Sequence, residues 1–151
     1  MGGESDLIKL YSARILELAA SIPLTEPITA PDGEARKRSP LCGSTVSAAL
    51  TLDPDGHIET FAQDVKACAL GQASASILGR SVIGQDRDAI AQARDELRAM
   101  LKDDGPVPAA PFDGYEVLIP ARDYKNRHAS ILLSLDATLA AFDAALADAH
   151  A

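Results

Sequence analysis

The sequence predicts an α+β fold: a small antiparallel sheet of about three strands packed against several helices, with a long C-terminal helix. Three observations predict it. Val46, Ala48, Leu50 and Leu52 alternate with Thr45, Ser47, Ala49 and Thr51, the period of a half-buried strand. The turn Asp53-Pro54-Asp55-Gly56 then folds the chain back as a partner strand over His57–Val65. Beyond Cys68 the apolar period becomes helical, and helices follow strands instead of alternating with them, which separates α+β from α/β.

The elements follow in order. Apolar Leu7, Ile8, Tyr11, Ile15 and Leu18 fall at helical spacing, with Asp6 placed to cap the start. Pro23, Pro27 and Pro31 make the next stretch an extended linker. Glu34–Ser39 (EARKRS) is a short first strand ending at Pro40, its basic cluster suited to an edge strand or a local docking patch. The hairpin comes next. Cys68–Gly79 is rich in small residues and helix-compatible. Ile90, Ala93, Leu97 and Leu101 mark one face of a helix within Asp86–Gly105, with Gly105 as its stop. Tyr115–Asn126 is partly extended up to Pro120. His128 opens a long amphipathic helix whose stripe is Ile131, Leu132, Leu135, Leu139, Phe142 and Leu146.

The 151 residues suit one domain, 1–151. With three Phe, three Tyr and no Trp, the core must be built from Ala, Leu, Ile and Val. A net charge of −8 argues against nucleic acid, which needs clustered Lys and Arg. No stretch reads as a run of about 20 apolar residues, and the N-terminal segment has no secretory pattern, so no membrane partner and a cytoplasmic location are expected. The two cysteines are expected to be free or metal-bound thiols, not a disulfide.

Cys42 stands between Pro40 and Gly43, just before a strand, where Gly43 lets the backbone turn and leaves space beside the sulfur. Cys68 stands where a strand ends and a helix begins, and a helix N-terminus favours an anion. His128 starts the last helix, where the same field favours neutral imidazole, the metal-binding form. Two thiols and an imidazole at element edges form the donor set of a Zn or Fe site. Inert core cysteines and a capping histidine are the competing reading. A Cys–His thiol enzyme is a third, with no orienting residue or oxyanion arrangement at a matching spacing. His57 and His150 are expected to be solvated.

Four blocks, Leu10–Leu16 (LYSARIL), Pro40–Val46 (PLCGSTV), Lys66–Gly79 (KACALGQASASILG) and Arg127–Ala137 (RHASILLSLDA), resemble the IscU/NifU-type iron–sulfur cluster scaffold family in content and order, across nearly the whole chain. The resemblance implies an α+β scaffold, not an enzyme, that assembles or carries an iron–sulfur cluster. Sulfur would come from a cysteine desulfurase, and the cluster would pass to acceptor proteins. It places the iron, cluster or zinc ligands at Cys42, Cys68 and His128. The family's Asp after Cys-Gly is Ser44 here, and its third cysteine, directly after the histidine, is Ala129. The docking stretch for a dedicated chaperone is absent. Three ligands leave one position open, to be filled by Asp123, water, a small thiol or a second protomer in a homodimer. A degenerate paralogue, stabilised by zinc and adapting a desulfurase, is the alternative function.

Overall fold

The computed structural model describes residues 12–40 and 43–149. Its elements are α1 (Ala13–Ala20), β1 (Gly33–Arg38), β2 (Thr45–Leu52), β3 (Ile58–Lys66), α2 (Ala69–Ser81), α3 (Arg87–Lys102), a 3₁₀ helix (Asp113–Asp123) and α4 (Lys125–Ala149). The strands pair antiparallel in the order β1-β2-β3.

Local chemistry sets most boundaries. Ser12 caps α1, its hydroxyl accepting from the Ile15 N–H at 3.3 Å, so this helix starts at Ala13 instead of running unbroken through Ser12. The expected Asp6 cap lies outside the described residues. Asp86 caps α3 by accepting from the Ala89 N–H at 2.8 Å. The stop of α3 differs from expectation: Asp104, not Gly105, takes the left-handed conformation, at φ 54°. Gly105 is needed for closeness instead. A Cβ there would meet Ala99 at 3.0 Å.

The stretch expected to be partly extended up to Pro120 is a 3₁₀ helix. Its buried residues, Tyr115, Leu118 and Ala121, recur at every third position, the period of a three-residue turn. Val117 and Ile119 supply strand propensity, but packing of that every-third face overrides it.

The core lies around α4, which packs against β1, β2, α2, α3 and the 3₁₀ helix. It is buried on nearly every side, which overturns the amphipathic stripe expected of it. Leu133, Ala137, Thr138 and Ala141 are buried alongside Ile131, Leu135 and Phe142, while Leu146 is 38% exposed. Lys125–Ala147 is consequently long and apolar enough to cross a membrane by length and composition, a property the sequence reading overlooked. Here that apolarity follows from the helix's place in the core. Gly33 permits the closest approach, because a Cβ on this β1 residue would overlap the α4 backbone at Ala141 and Ala145. Between α2, α4 and the 3₁₀ helix, the Tyr115 hydroxyl donates to the Ser74 carbonyl at 3.1 Å, and Ser74 Oγ donates to the Ile131 carbonyl at 2.6 Å.

Candidate metal centre

β3 ends at Lys66, and Cys68 is the N-cap of α2 with extended backbone (φ −66°, ψ 169°). A thiol accepts poorly, and Cys68 makes no side-chain cap bond. Its half-buried Sγ turns instead to Ser130 Oγ, 3.5 Å away on α4. Ser130 Oγ donates to Ser44 Oγ at 3.1 Å. One line of small polar groups therefore joins the start of α2, the first turns of α4 and the approach to β2. Gly71 makes room for it: a Cβ there would stand 2.7 Å from Ser130 Oγ.

Ser44 closes the β1–β2 connection. The Ser39 N–H donates to the Ser44 carbonyl at 2.8 Å, and the Gly43 N–H donates to the Ser39 carbonyl at 3.0 Å. Gly43 turns the chain at φ +69°, the left-handed conformation for which glycine suits the position. Cys42, two residues before Ser44, lies outside the described residues.

His128 does not open α4 as expected; the helix begins three residues earlier, at Lys125. The ring is 1% exposed. Its Nε2 lies 2.9 Å from the Ala121 carbonyl and 3.1 Å from the Arg122 carbonyl. Carbonyls only accept, so Nε2 must carry the proton, which leaves the Nδ1 lone pair bare in the neutral ring. Nδ1 is buried and has no hydrogen-bond partner among the described residues. An imidazole held through one nitrogen by backbone carbonyls, with its other nitrogen bare, has the arrangement of a metal ligand and its supporting shell.

That support extends further. The Arg122 guanidinium donates from Nε to the Met100 carbonyl at 2.7 Å and from Nη2 to the Gly105 carbonyl at 2.9 Å. It ties the end of the 3₁₀ helix to the end of α3. Sequence reasoning singled out Ser44 at the family's Asp position but missed Ser130 and Arg122 as parts of this region. Ser130 carried a signal, a polar residue beside His128 within an apolar run. Arg122 carried none, since its work is done through backbone carbonyls. Asp123, the expected oxygen ligand, is exposed at the end of the 3₁₀ helix.

A second cluster sits at the hairpin turn, where Asp53, Asp55 and His57 place ligand-type atoms within 4.8 Å of one another. Turn geometry accounts for it. Asp53 Oδ1 accepts from the His57 and Asp55 N–H groups, each at 2.9 Å, and these bonds hold its carboxyl below the usual range. His57, expected to be solvated, is partly exposed, with Nδ1 3.7 Å from Asp53.

No family model matches this sequence, and no curated protein matches it. Solved structures do. The chain is similar to the N-terminal part of a nitrogen-fixing NifU-like protein from Brucella abortus, with a TM-score of 0.90 and 42% identity, covering 94% of this chain and 98% of that one. At 17% identity and a TM-score of 0.77 it shares its fold with a protein named as an iron–sulfur cluster assembly scaffold for the SUF system of Fervidobacterium islandicum AW-1, over 89% of this chain and 98% of that one. A hypothetical protein has the same fold at 22% identity and a TM-score of 0.77, over 90% of this chain and 98% of that one.

Proposed function

Because the chain belongs to the NifU-like (N-terminal) family, we propose that it is an iron–sulfur cluster assembly scaffold or carrier whose cargo binds at Cys42, Cys68 and His128. The observation that carries the reading is the His128 ring, with Nε2 fixed by two carbonyls and a bare, buried Nδ1. Ser130, two residues on, contacts Cys68 Sγ at 3.5 Å. The elements bearing Cys68 and His128 thus meet through neighbouring side chains.

The donor set fits the cargo. Two thiolates and a neutral imidazole neutralise a divalent ion and leave one coordination position open. Zinc fits the same ligands. A [2Fe–2S] cluster wants four protein ligands, so one held here is labile or shared between two copies of the chain. Ala129 and Ser44 stand where the family carries further ligands, which makes the site one of exchange instead of tight storage. The protein acts by binding and transfer and not as an enzyme. It works in the cytoplasm as one domain, 1–151, receiving sulfur from a cysteine desulfurase and passing its cargo to acceptor proteins.

Anaerobic reconstitution with ferrous iron and sulfide tests this. The natural protein should develop the visible absorption of a cluster, and Cys42→Ala, Cys68→Ala and His128→Ala should each lose it. Unchanged iron content in Cys68→Ala and His128→Ala would remove the site. Iron uptake without bound sulfide, together with tight zinc, would favour a zinc-stabilised adaptor.

A further inference from the structure

A groove runs along α4 between the end of β1 and α3. Two cavities of about 390 and 360 Å³ form it, and they share Arg38, Arg94, Leu133 and Asp136. Its walls are cationic: Arg38 from β1, Arg94, Arg98 and Lys102 from α3, and Lys125 from α4. The acids in it are already neutralised, Asp136 by Arg94 at 2.8 Å and Asp143 by Arg87 at 2.7 Å. Among the described residues, Arg38, Arg98, Lys102 and Lys125 form no ion pair, so the groove carries uncompensated positive charge in a chain whose net charge is −8. Leu133 and Leu139 give it an apolar floor. Ala129, the residue after His128, lines one end.

We infer that this groove docks an extended acidic segment of a partner protein, with one end of that segment at Ala129 beside the candidate metal centre. Length selects a segment over a small anion. From Ala129 to Asp143 the helix advances about 21 Å, which roughly six extended residues span. Arg98, Lys102 and Lys125 line the half of the groove that holds Ala129, Lys37 lines the half that holds Asp143, and Arg38 lines both, so a small polycarboxylate would engage only one end. Successive side chains of an extended segment alternate, so carboxylates on one face meet the Arg and Lys walls while aliphatic residues on the other cover the leucine floor. Charge complementarity of this kind sets partner choice and the rate of encounter. A docked segment leads its owner to Ala129, the residue after His128.

The test uses metal-free protein, so it stands whether or not the metal reading does. The probe is a fluorescein-labelled octapeptide alternating Glu and Val, followed by anisotropy at low salt, with a Lys/Val octapeptide and free citrate for comparison. The acidic peptide should bind despite the protein's net negative charge, and more weakly as salt rises. Arg98→Glu, Lys102→Glu and Lys125→Glu together should weaken binding at least about tenfold. Arg14→Glu, Arg36→Glu and Lys66→Glu together make the same change in net charge at exposed sites outside the groove, and should weaken it less than about threefold. If the groove triple variant loses its circular dichroism signal, single reversals at Arg98 and Lys102 decide, each expected to cost about two- to threefold. The inference is overturned by equal losses in both triple variants, by failure of the acidic peptide to bind, by equal binding of the Lys/Val peptide, or by citrate binding as tightly as the peptide.

Discussion

Gly71 sits in the first turn of α2, facing α4 where Cys68 and Ser130 meet, and Gly71→Ala sets two effects against each other. Helix propensity favours alanine by at most about 1 kcal/mol. Packing opposes it. The added Cβ would lie 2.7 Å from Ser130 Oγ, 2.8 Å from the Ala67 Cβ and 3.2 Å from the Ser130 carbonyl oxygen. Ordinary carbon contacts lie at about 3.5–4.0 Å, so two of these are short by nearly an ångström. Ser130 Oγ could swing away only by giving up Ser44 at 3.1 Å and Cys68 at 3.5 Å. The Ser130 carbonyl cannot move unless α4 moves. Overpacking costs about 1–3 kcal/mol and the lost Ser130–Ser44 bond about 1 kcal/mol. After the propensity gain, the net loss is roughly 1–3 kcal/mol, a fall in Tm of about 3–10 °C for a chain of this size. Thermal and urea denaturation followed by circular dichroism measure it. Adding Ser130→Ala should recover part of the loss, because one close contact goes and the backbone contact stays. A Gly71→Ala protein that melts higher than the natural one would refute the reasoning, since propensity would then have won over a contact too loose to matter.

Ala129→Cys should hold a reconstituted cluster longer against a chelator than the natural protein does, because the side chain is only partly buried and lines the groove beside His128; equal retention as a monomer would mean that a fourth ligand already exists. Tyr115→Phe should cost about 1 kcal/mol in urea denaturation through loss of the bond to the Ser74 carbonyl. Burial also pushes the Tyr115 hydroxyl well above its ordinary value. The folded state thus keeps its proton where the unfolded chain releases it: this stability is fully present below pH 10, is lost as pH rises above it, and Tyr115→Phe should flatten that decline. Truncation after Ala129 removes the buried Ile131, Leu135 and Phe142, each worth about 1.5–3 kcal/mol, and should abolish cooperative melting; a retained transition would make α4 an appendage.

The hairpin was legible because its signals are local and agree. Alternation in Thr45–Leu52 and the Asp53–Gly56 turn point the same way, and the observed strands differ by about a residue at each end. The short first strand, the helix after Cys68 and the Asp86 start of α3 were legible for the same reason. The 3₁₀ helix was not. Its period-three face, Tyr115, Leu118 and Ala121, competes with strand-forming neighbours, and only contact with α2, α3 and α4 decides. The long helix was found, but its surroundings were not: nothing in the spacing says that alanines on the supposedly polar side are buried against β1. Cys68 and His128 stood out as thiol and imidazole at element edges. What holds the imidazole did not, since backbone carbonyls leave no mark on a sequence.

The meeting of Gly33 with Ala141 and Ala145 bears on how the molecule is made. The residues that form the sheet leave the ribosome well before α4, their principal packing partner. Until α4 is synthesised, Val46, Leu50 and Ala48 have no helix to lie against, and the three-stranded sheet presents its apolar face to water. Such distant pairings slow folding, because the intervening chain must be ordered before any contact repays it. Until α4 follows, the sheet is open with an exposed β1 edge, the state most prone to pairing with its neighbours. Shortening that interval, by a circular permutation that places α4 ahead of β1, should raise the folding rate while leaving the finished core unchanged.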